Sequence, residues 1–179
     1  ILEPTHVVFE NNVYVIVKSA TLSQGCYIAK ITSSGIVSTF YTGPDSPPGN
    51  EILLTGLTFD QAKSAPESLS DIYFIQTVQN TNPSQNQQLM RLDATFNALQ
   101  VYDTFEAGFD SEYLELAVYG NYAYMIGNGV RKDSSDSYFQ PVAALKIDIS
   151  AGTLTETIPL DMQSPLYSSY ALDDNGYPS

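Results

Sequence analysis

The chain has 179 residues, of which 20 are acidic and seven basic, and its formal net charge is −13. Such a field repels phosphate groups, which excludes nucleic acid as an expected partner and disfavours anionic membrane surfaces. Only 15% of residues are charged, and 13 Tyr and eight Phe occur without any Trp, a composition that favours strands over helices.

Cys26 is the single cysteine, so the sequence excludes an internal disulfide and a cysteine-based metal cluster. No apolar run approaches the ~20 residues that a membrane-spanning helix needs. The chain begins at Ile1 without a signal-like segment, which predicts a processed or truncated protein. The acidic, Lys-poor, Ser/Thr/Tyr-rich composition predicts an extracellular or cell-surface location, although no Asn-x-Ser/Thr sequon supports it.

The first predicted unit is a run of four short strands. The pair Asn11-Asn12 lies where a tight hairpin needs residues that tolerate positive φ. Cys26 stands before the third strand and is predicted to be a small packed residue and not a nucleophile, because no neighbouring base lowers its pKa. The four strands are predicted at residues 7–9, 13–16, 28–32 and 36–41.

The second unit repeats this order with one change, since residues 61–70 replace the tight turn by a longer loop. Its strands are predicted at residues 57–60, 71–75, 89–93 and 98–105. The third unit returns to a tight turn at Gly120-Asn121. Its strands are predicted at residues 116–119, 122–126, 144–148 and 153–160, after which residues 170–177 restate the opening of the first unit.

Two landmarks recur in the same order in all three units. The second strands share Tyr14, Tyr73 and Tyr124, and the third strands share Lys30, Arg91 and Lys146. We expect each base to lay its stem along the neighbouring unit and to meet a carboxylate there. A structural role of this kind is favoured over a ring of cations that lines a central channel.

Four antiparallel strands per ~50 residues resemble the blades of β-propellers as a class. The Trp-Asp dipeptide and the kelch Gly-Gly pair are absent, so the resemblance extends to no particular family. It implies an all-β, incomplete propeller with blades at about 7–53, 54–112 and 113–165, and the start of a further blade at 166–179. A β-sandwich or a solenoid of hairpins is the alternative. Because about three blades cannot close a ring, the resemblance also implies a protein partner, either the rest of the same chain or another copy.

In a blade, the loops after the second and fourth strands emerge at one end, and here they are long and polar. We predict a binding or assembly face there, for protein or glycan partners. Its candidate residues are Asp45, Asn80, Asn82, Asp103, Glu106, Asp110, Glu112, Asp133 and Asp136.

Metal and catalytic signals are weak. Asp133, Asp136, Asp173 and Asp174 could offer oxygen ligands to Ca²⁺, but their spacing does not match a calcium loop, and solvated turns are the favoured interpretation. No other cofactor and no catalytic residue is predicted. His6 is the lone histidine, and Gly127-Asn128-Gly129 lacks the third glycine and the helix of a phosphate site.

The sequence therefore predicts a non-catalytic extracellular structural or binding module, with a subunit of a surface or filamentous assembly as one form. The alternative is one lobe of a secreted propeller-type hydrolase or lyase that acts on carbohydrates, since carboxylates are plentiful enough to supply an acid–base pair.

Overall fold

A computed structural model describes residues 6–18, 26–43, 51–79, 85–104, 109–132 and 137–159. These residues form three four-stranded antiparallel sheets, which confirms the predicted all-β class. Sheet 1 contains β1 (His6–Phe9), β2 (Asn12–Lys18), β3 (Cys26–Ile31) and β4 (Val37–Tyr41). Sheet 2 contains β5 (Glu51–Phe59), β6 (Ile72–Gln79), β7 (Gln85–Asp93) and β8 (Asn97–Asp103). Sheet 3 contains β9 (Phe109–Tyr119), β10 (Tyr122–Lys132), β11 (Ser137–Asp148) and β12 (Thr153–Pro159).

The three sheets repeat one another in register. In each sheet the strands are neighbours in chain order, so every connection inside a sheet is a hairpin. The three landmark tyrosines lie on the second strands and the three landmark bases on the third strands, as predicted. Each tyrosine is directly opposite its base, in the pairs Tyr14–Lys30, Tyr73–Arg91 and Tyr124–Lys146.

The first hairpin turns one residue earlier than predicted. Phe9 pairs with Asn12, so the two turn residues are Glu10 and Asn11, with φ of 49° and 59°. Asn12 is already in β2, and its side-chain amide donates a hydrogen bond to the Glu10 carbonyl oxygen at 2.9 Å. The Asn12 side chain thereby stabilises a turn in which a glutamate takes a positive φ. Gly120, with φ of 59°, occupies the matching turn of sheet 3, where the prediction was in register.

The longer connection between β5 and β6 is ordered around the side chain of Asp71. Asp71 ends a short 3₁₀ turn, Leu69–Asp71, and its carboxylate accepts hydrogen bonds from Lys63 Nζ and from the backbone N–H groups of Glu67 and Ser68. Burial opposes ionisation of Asp71, but these donors outweigh it and hold its pKa below the usual range. The segment therefore keeps a fixed shape although it replaces a two-residue turn.

Sheet 2 is the middle layer of a face-to-face stack. Alternate side chains of a strand point to opposite faces, and here both faces are covered. Ile72 and Phe74 pack in a core with sheet 1, whereas Tyr73 and Ile75 pack in a core with sheet 3. All four residues are at most 7% exposed. Burying each of these side chains stabilises the stack by about 1.5–3 kcal/mol.

Several segments predicted as loops belong to strands. The loops predicted after the second and fourth strands of sheet 2, at 76–87 and 103–112, and after the second strand of sheet 3, at 127–140, are shorter than predicted, because β6, β7, β9, β10 and β11 extend into them. Asp110 and Glu112 therefore lie in β9, where they pair with Val130 and Asn128 of the long strand β10. Likewise β5 and β9 begin several residues before the predicted boundaries at 53/54 and 112/113.

Candidate functional site

The stacked sheets have two unlike ends. At one end, the tight-turn end, the first strand of each sheet turns into the second and the third into the fourth. At the other, the loop end, the second strand leads to the third and the fourth leads to the next sheet. The strand termini Lys18, Tyr41, Gln79 and Asp103 border the loop end.

Most of the predicted binding-face residues fall on segments about which the structure says nothing. Of the candidates with a described side chain, Asp103 is the single one, at the end of β8. The positions outside the described residues are Asp45, Asn80, Asn82, Glu106, Asp133, Asp136, Asp173 and Asp174.

Asp103 belongs to a chain of hydrogen-bonded amides that crosses sheet 2 near the loop end. The Tyr41 hydroxyl donates to Gln76 Oε1 at 2.5 Å, and Gln76 Nε2 donates to Gln88 Oε1 at 2.8 Å. Gln88 Nε2 in turn donates to Gln100 Oε1 at 2.8 Å and to Asp103 Oδ2 at 3.0 Å. We call these five residues the amide ladder. The ladder runs from Tyr41 through Gln76, which is 1% exposed, to the exposed side chain of Gln100.

A second polar group lies on the opposite face of sheet 2. Gln87, which is 1% exposed, donates from Nε2 to Thr77 Oγ1 at 2.9 Å. The buried Thr104 hydroxyl donates to the Gln87 carbonyl oxygen at 3.0 Å. Buried amides are costly unless they are paired, and these contacts let polar residues occupy the interior of β6 and β7.

The phenol of Tyr41 joins sheet 1 to the ladder. Its ring packs against Phe74 at 5.4 Å between centroids, and burial raises its pKa to about 12. Gly43, with φ of +81°, follows closely, and a Cβ there would lie 2.6 Å from Ile52 Cδ1 and 3.6 Å from Gln76 Oε1. Glycine is favoured at this point because of its positive φ, and the backbone here lies within van der Waals distance of the buried end of the ladder.

The repeated lysines meet aromatic rings and not the predicted carboxylates. Lys30 Nζ lies 6.0 Å from the centroid of Tyr14, and Lys146 Nζ lies 4.5 Å from the centroid of Tyr122. Both geometries are those of cation–π contacts. In the described part of the chain, the salt bridges are those that Lys63 makes in the β5–β6 connection.

Other reactive side chains are dispersed. Cys26 is buried at the start of β3, the predicted position, and His6 is exposed at the start of β1. Within the described ranges, no three His, Cys, Asp or Glu side chains come together closely enough to hold a metal ion. No helix in those ranges is long and apolar enough to cross a membrane.

Gln76 and Gln87 were not predicted as buried strand residues because residues 76–87 were predicted to form a polar loop, and Gln88 was placed just before the next predicted strand. The runs 76–79 and 85–88 are almost entirely polar, so no local pattern marks them as strand. In chemical terms, the amide ladder offers neutral donors and acceptors in a row beside a carboxylate. Groups of these kinds can hydrogen-bond to the hydroxyl and amide groups of a ligand.

Comparison with known proteins gives no relative, since no family model, no curated protein and no solved structure matches the chain.

Proposed function

We propose that the chain forms three consecutive blades of a β-propeller and works as a non-catalytic extracellular module that binds its ligand at the loop end. The repeated structure of the three stacked sheets supports their assignment as blades. Each sheet has four strands in chain order, and each Tyr–base pair occupies the same position in its sheet. Binding sites are commonly built on the loops at one end of such a rigid scaffold.

The amide ladder is the observation that carries the assignment of the ligand end. It joins Tyr41 and Asp103, the last residues of β4 and β8 at the loop end, to three glutamines in the middle of sheet 2, of which Gln100 is exposed. Amide groups and a carboxylate accept and donate to hydroxyl groups without requiring an opposite charge. With a net charge of −13, the chain suits a neutral ligand, and a glycan rich in hydroxyl groups fits this chemistry best.

The test is a titration of the chain with a panel of neutral oligosaccharides, followed by calorimetry. We expect Gln100→Leu to weaken binding by about tenfold, because one donor–acceptor group on the ligand side is lost. Gln61→Leu is the matched control, since Gln61 is an exposed amide at the tight-turn end and should leave affinity unchanged.

Two results would contradict the proposal. Turnover of any oligosaccharide in the panel would show that the module is catalytic. Equal loss of affinity in the Gln61 and Gln100 variants would show that the ligand does not bind at the loop end.

A further inference from the structure

Sheet 1 has an apolar face that no described part of the chain covers. Strand alternation and cross-strand register place seven aliphatic side chains on it. Val8 is 54% exposed and Val37 63% exposed, while Ala29 is buried between its neighbours. We call this the outer face of sheet 1, and its aliphatic residues are Val8, Val13, Val15, Val17, Ala29, Ile31 and Val37.

Each sheet has two unlike faces. The face that carries the Tyr–base pair is called the tyrosine face here, and the other is called the aliphatic face. Tyr14 of sheet 1 packs in one core with Phe74 of sheet 2, and Tyr73 of sheet 2 packs in the other core with Met125 of sheet 3. The tyrosine face of one sheet therefore covers the aliphatic face of the next sheet, twice in succession.

The two uncovered faces are the two halves of this same interface. The outer face of sheet 1 is an aliphatic face, and its cross-strand pair Val15–Ala29 is equivalent to the pair Phe74–Met90, which sheet 1 covers. The outer face of sheet 3 is a tyrosine face, with Tyr124 as its landmark residue.

We propose that a second copy of this chain docks on the outer face of sheet 1, through the tyrosine face of its own sheet 3. The contact repeats the internal interface a third time. Since each copy offers one face of each kind, the contact is head-to-tail. Two copies that make it reciprocally bring together six sheets, which lies within the range of about four to eight blades that closes a propeller.

The net charge of the chain predicts how this contact depends on salt. The seven aliphatic residues of the outer face of sheet 1 carry no charge, and the tyrosine face of sheet 3 carries Glu115, Lys146 and Glu156, whereas the chain as a whole carries −13. Two copies repel each other at long range, and salt screens that repulsion without weakening the apolar part of the contact. Self-association therefore strengthens as the salt concentration rises.

Sedimentation velocity of the 179-residue chain measures the association directly. We expect a reversible oligomer at micromolar concentration, and we expect Val8→Glu to weaken it by about a hundredfold or more, because a carboxylate would be buried without a partner. Ile36→Glu is the matched control, since Ile36 is 64% exposed but lies in the β3–β4 turn, off this face. Val37→Glu gives a second test on the same face, and circular dichroism checks that each variant is folded.

A mixing experiment distinguishes head-to-tail contact from face-to-same-face contact. Ala117 is exposed on the tyrosine face of sheet 3, so Ala117→Glu damages the other half of the interface. Neither variant should associate alone, but an equimolar mixture of the Val8→Glu and Ala117→Glu chains should form a 1:1 complex through their intact faces.

A wild-type chain that stays monomeric at every salt concentration overturns the proposal, as does an Ala117→Glu chain that associates as the wild type does. Neither result bears on ligand binding at the loop end. Val8 and Ala117 lie on the outer faces of sheets 1 and 3, whereas the ligand-binding test changes Gln100 in sheet 2. Failure of this proposal and failure of the proposed function are therefore separate outcomes.

Discussion

Two equivalent turns allow a glycine substitution to be tested with an internal control. Gly35 lies in the turn between the third and fourth strands of sheet 1, and Gly152 lies in the same turn of sheet 3. Their φ angles are +81° and +64°, so an L side chain is strained at both positions. The left-handed conformation costs an alanine about 1–2 kcal/mol, and both Gly→Ala variants should lose that much stability.

The surroundings of the two glycines differ. A Cβ at Gly35 would meet nothing within 4 Å, whereas a Cβ at Gly152 would lie 2.7 Å from the backbone carbonyl oxygen of Val101 in sheet 2. A backbone atom in a paired strand cannot move aside as a flexible side chain can. Forcing an extra methyl group into packed structure costs about 1–3 kcal/mol. Gly152→Ala should therefore lose about 2–5 kcal/mol in total, set against the smaller loss at Gly35.

Urea unfolding followed by circular dichroism, at one protein concentration, measures both variants. The slope of the free energy of unfolding against urea concentration should be the same in the variants and the wild type, so that the midpoints alone report differences in stability. Equal midpoints for Gly35→Ala and Gly152→Ala would refute the reasoning, since they would show that the turn of sheet 3 does not press against sheet 2.

Two further predictions concern contacts between sheets. Asp60 Oδ1 accepts a hydrogen bond from the Gly120 N–H at 2.7 Å, across the sheet 2–sheet 3 boundary. Asp60→Ala should therefore cost about 1–3 kcal/mol in urea unfolding, and Asp60→Asn, which keeps the acceptor oxygen, should cost less. The pKa of Tyr41 is raised in the folded state from 10.0 to about 12, so the folded protein holds this proton more tightly than the unfolded chain. The stabilisation that comes from this pKa shift is complete below pH 10 and is lost as the pH rises to about 12. The urea midpoint of the wild type should therefore fall over this pH range, and Tyr41→Phe should make that fall smaller. An equal fall in the two proteins would contradict the prediction.

The strands were predictable because their signal is local. Apolar and aromatic runs bounded by turn residues mark each strand, and the recurrence of Tyr14, Tyr73 and Tyr124 fixes the equivalence of the three sheets. Where the first turn was predicted one residue too late, a side-chain contact within the turn made the difference. Asn12 stabilises a positive φ at Glu10, so the turn does not need the two asparagines at its centre.

The amide ladder was not predictable from sequence because its members satisfy one another only after the strands pair. Gln76 and Gln88 become neighbours through the register of β6 and β7, and Tyr41 reaches Gln76 only when sheet 1 stacks on sheet 2. Read one at a time, glutamines in a polar run indicate a solvated loop. The link from Asp60 to Gly120 is hidden in the same way, since 60 residues separate the two.

The tight-turn end uses its polar groups internally, which supports the proposal that the ligand binds at the opposite end. Three equivalent side chains, Thr32, Asp93 and Asp148, lie where the third strands end, and each accepts at least one hydrogen bond from a backbone N–H group of the turn that follows. Donation by the Phe96 and Thr95 N–H groups lowers the pKa of Asp93, and bonds from the Ser150 hydroxyl and the Ala151 N–H lower that of Asp148. Carboxylates so occupied stay ionised and fixed, and a ligand would have to compete with these backbone donors to reach them. Towards the loop end, by contrast, the ladder leads from Asp103 at the end of β8 to the exposed side chain of Gln100, and this difference supports the proposal that the ligand binds at the loop end.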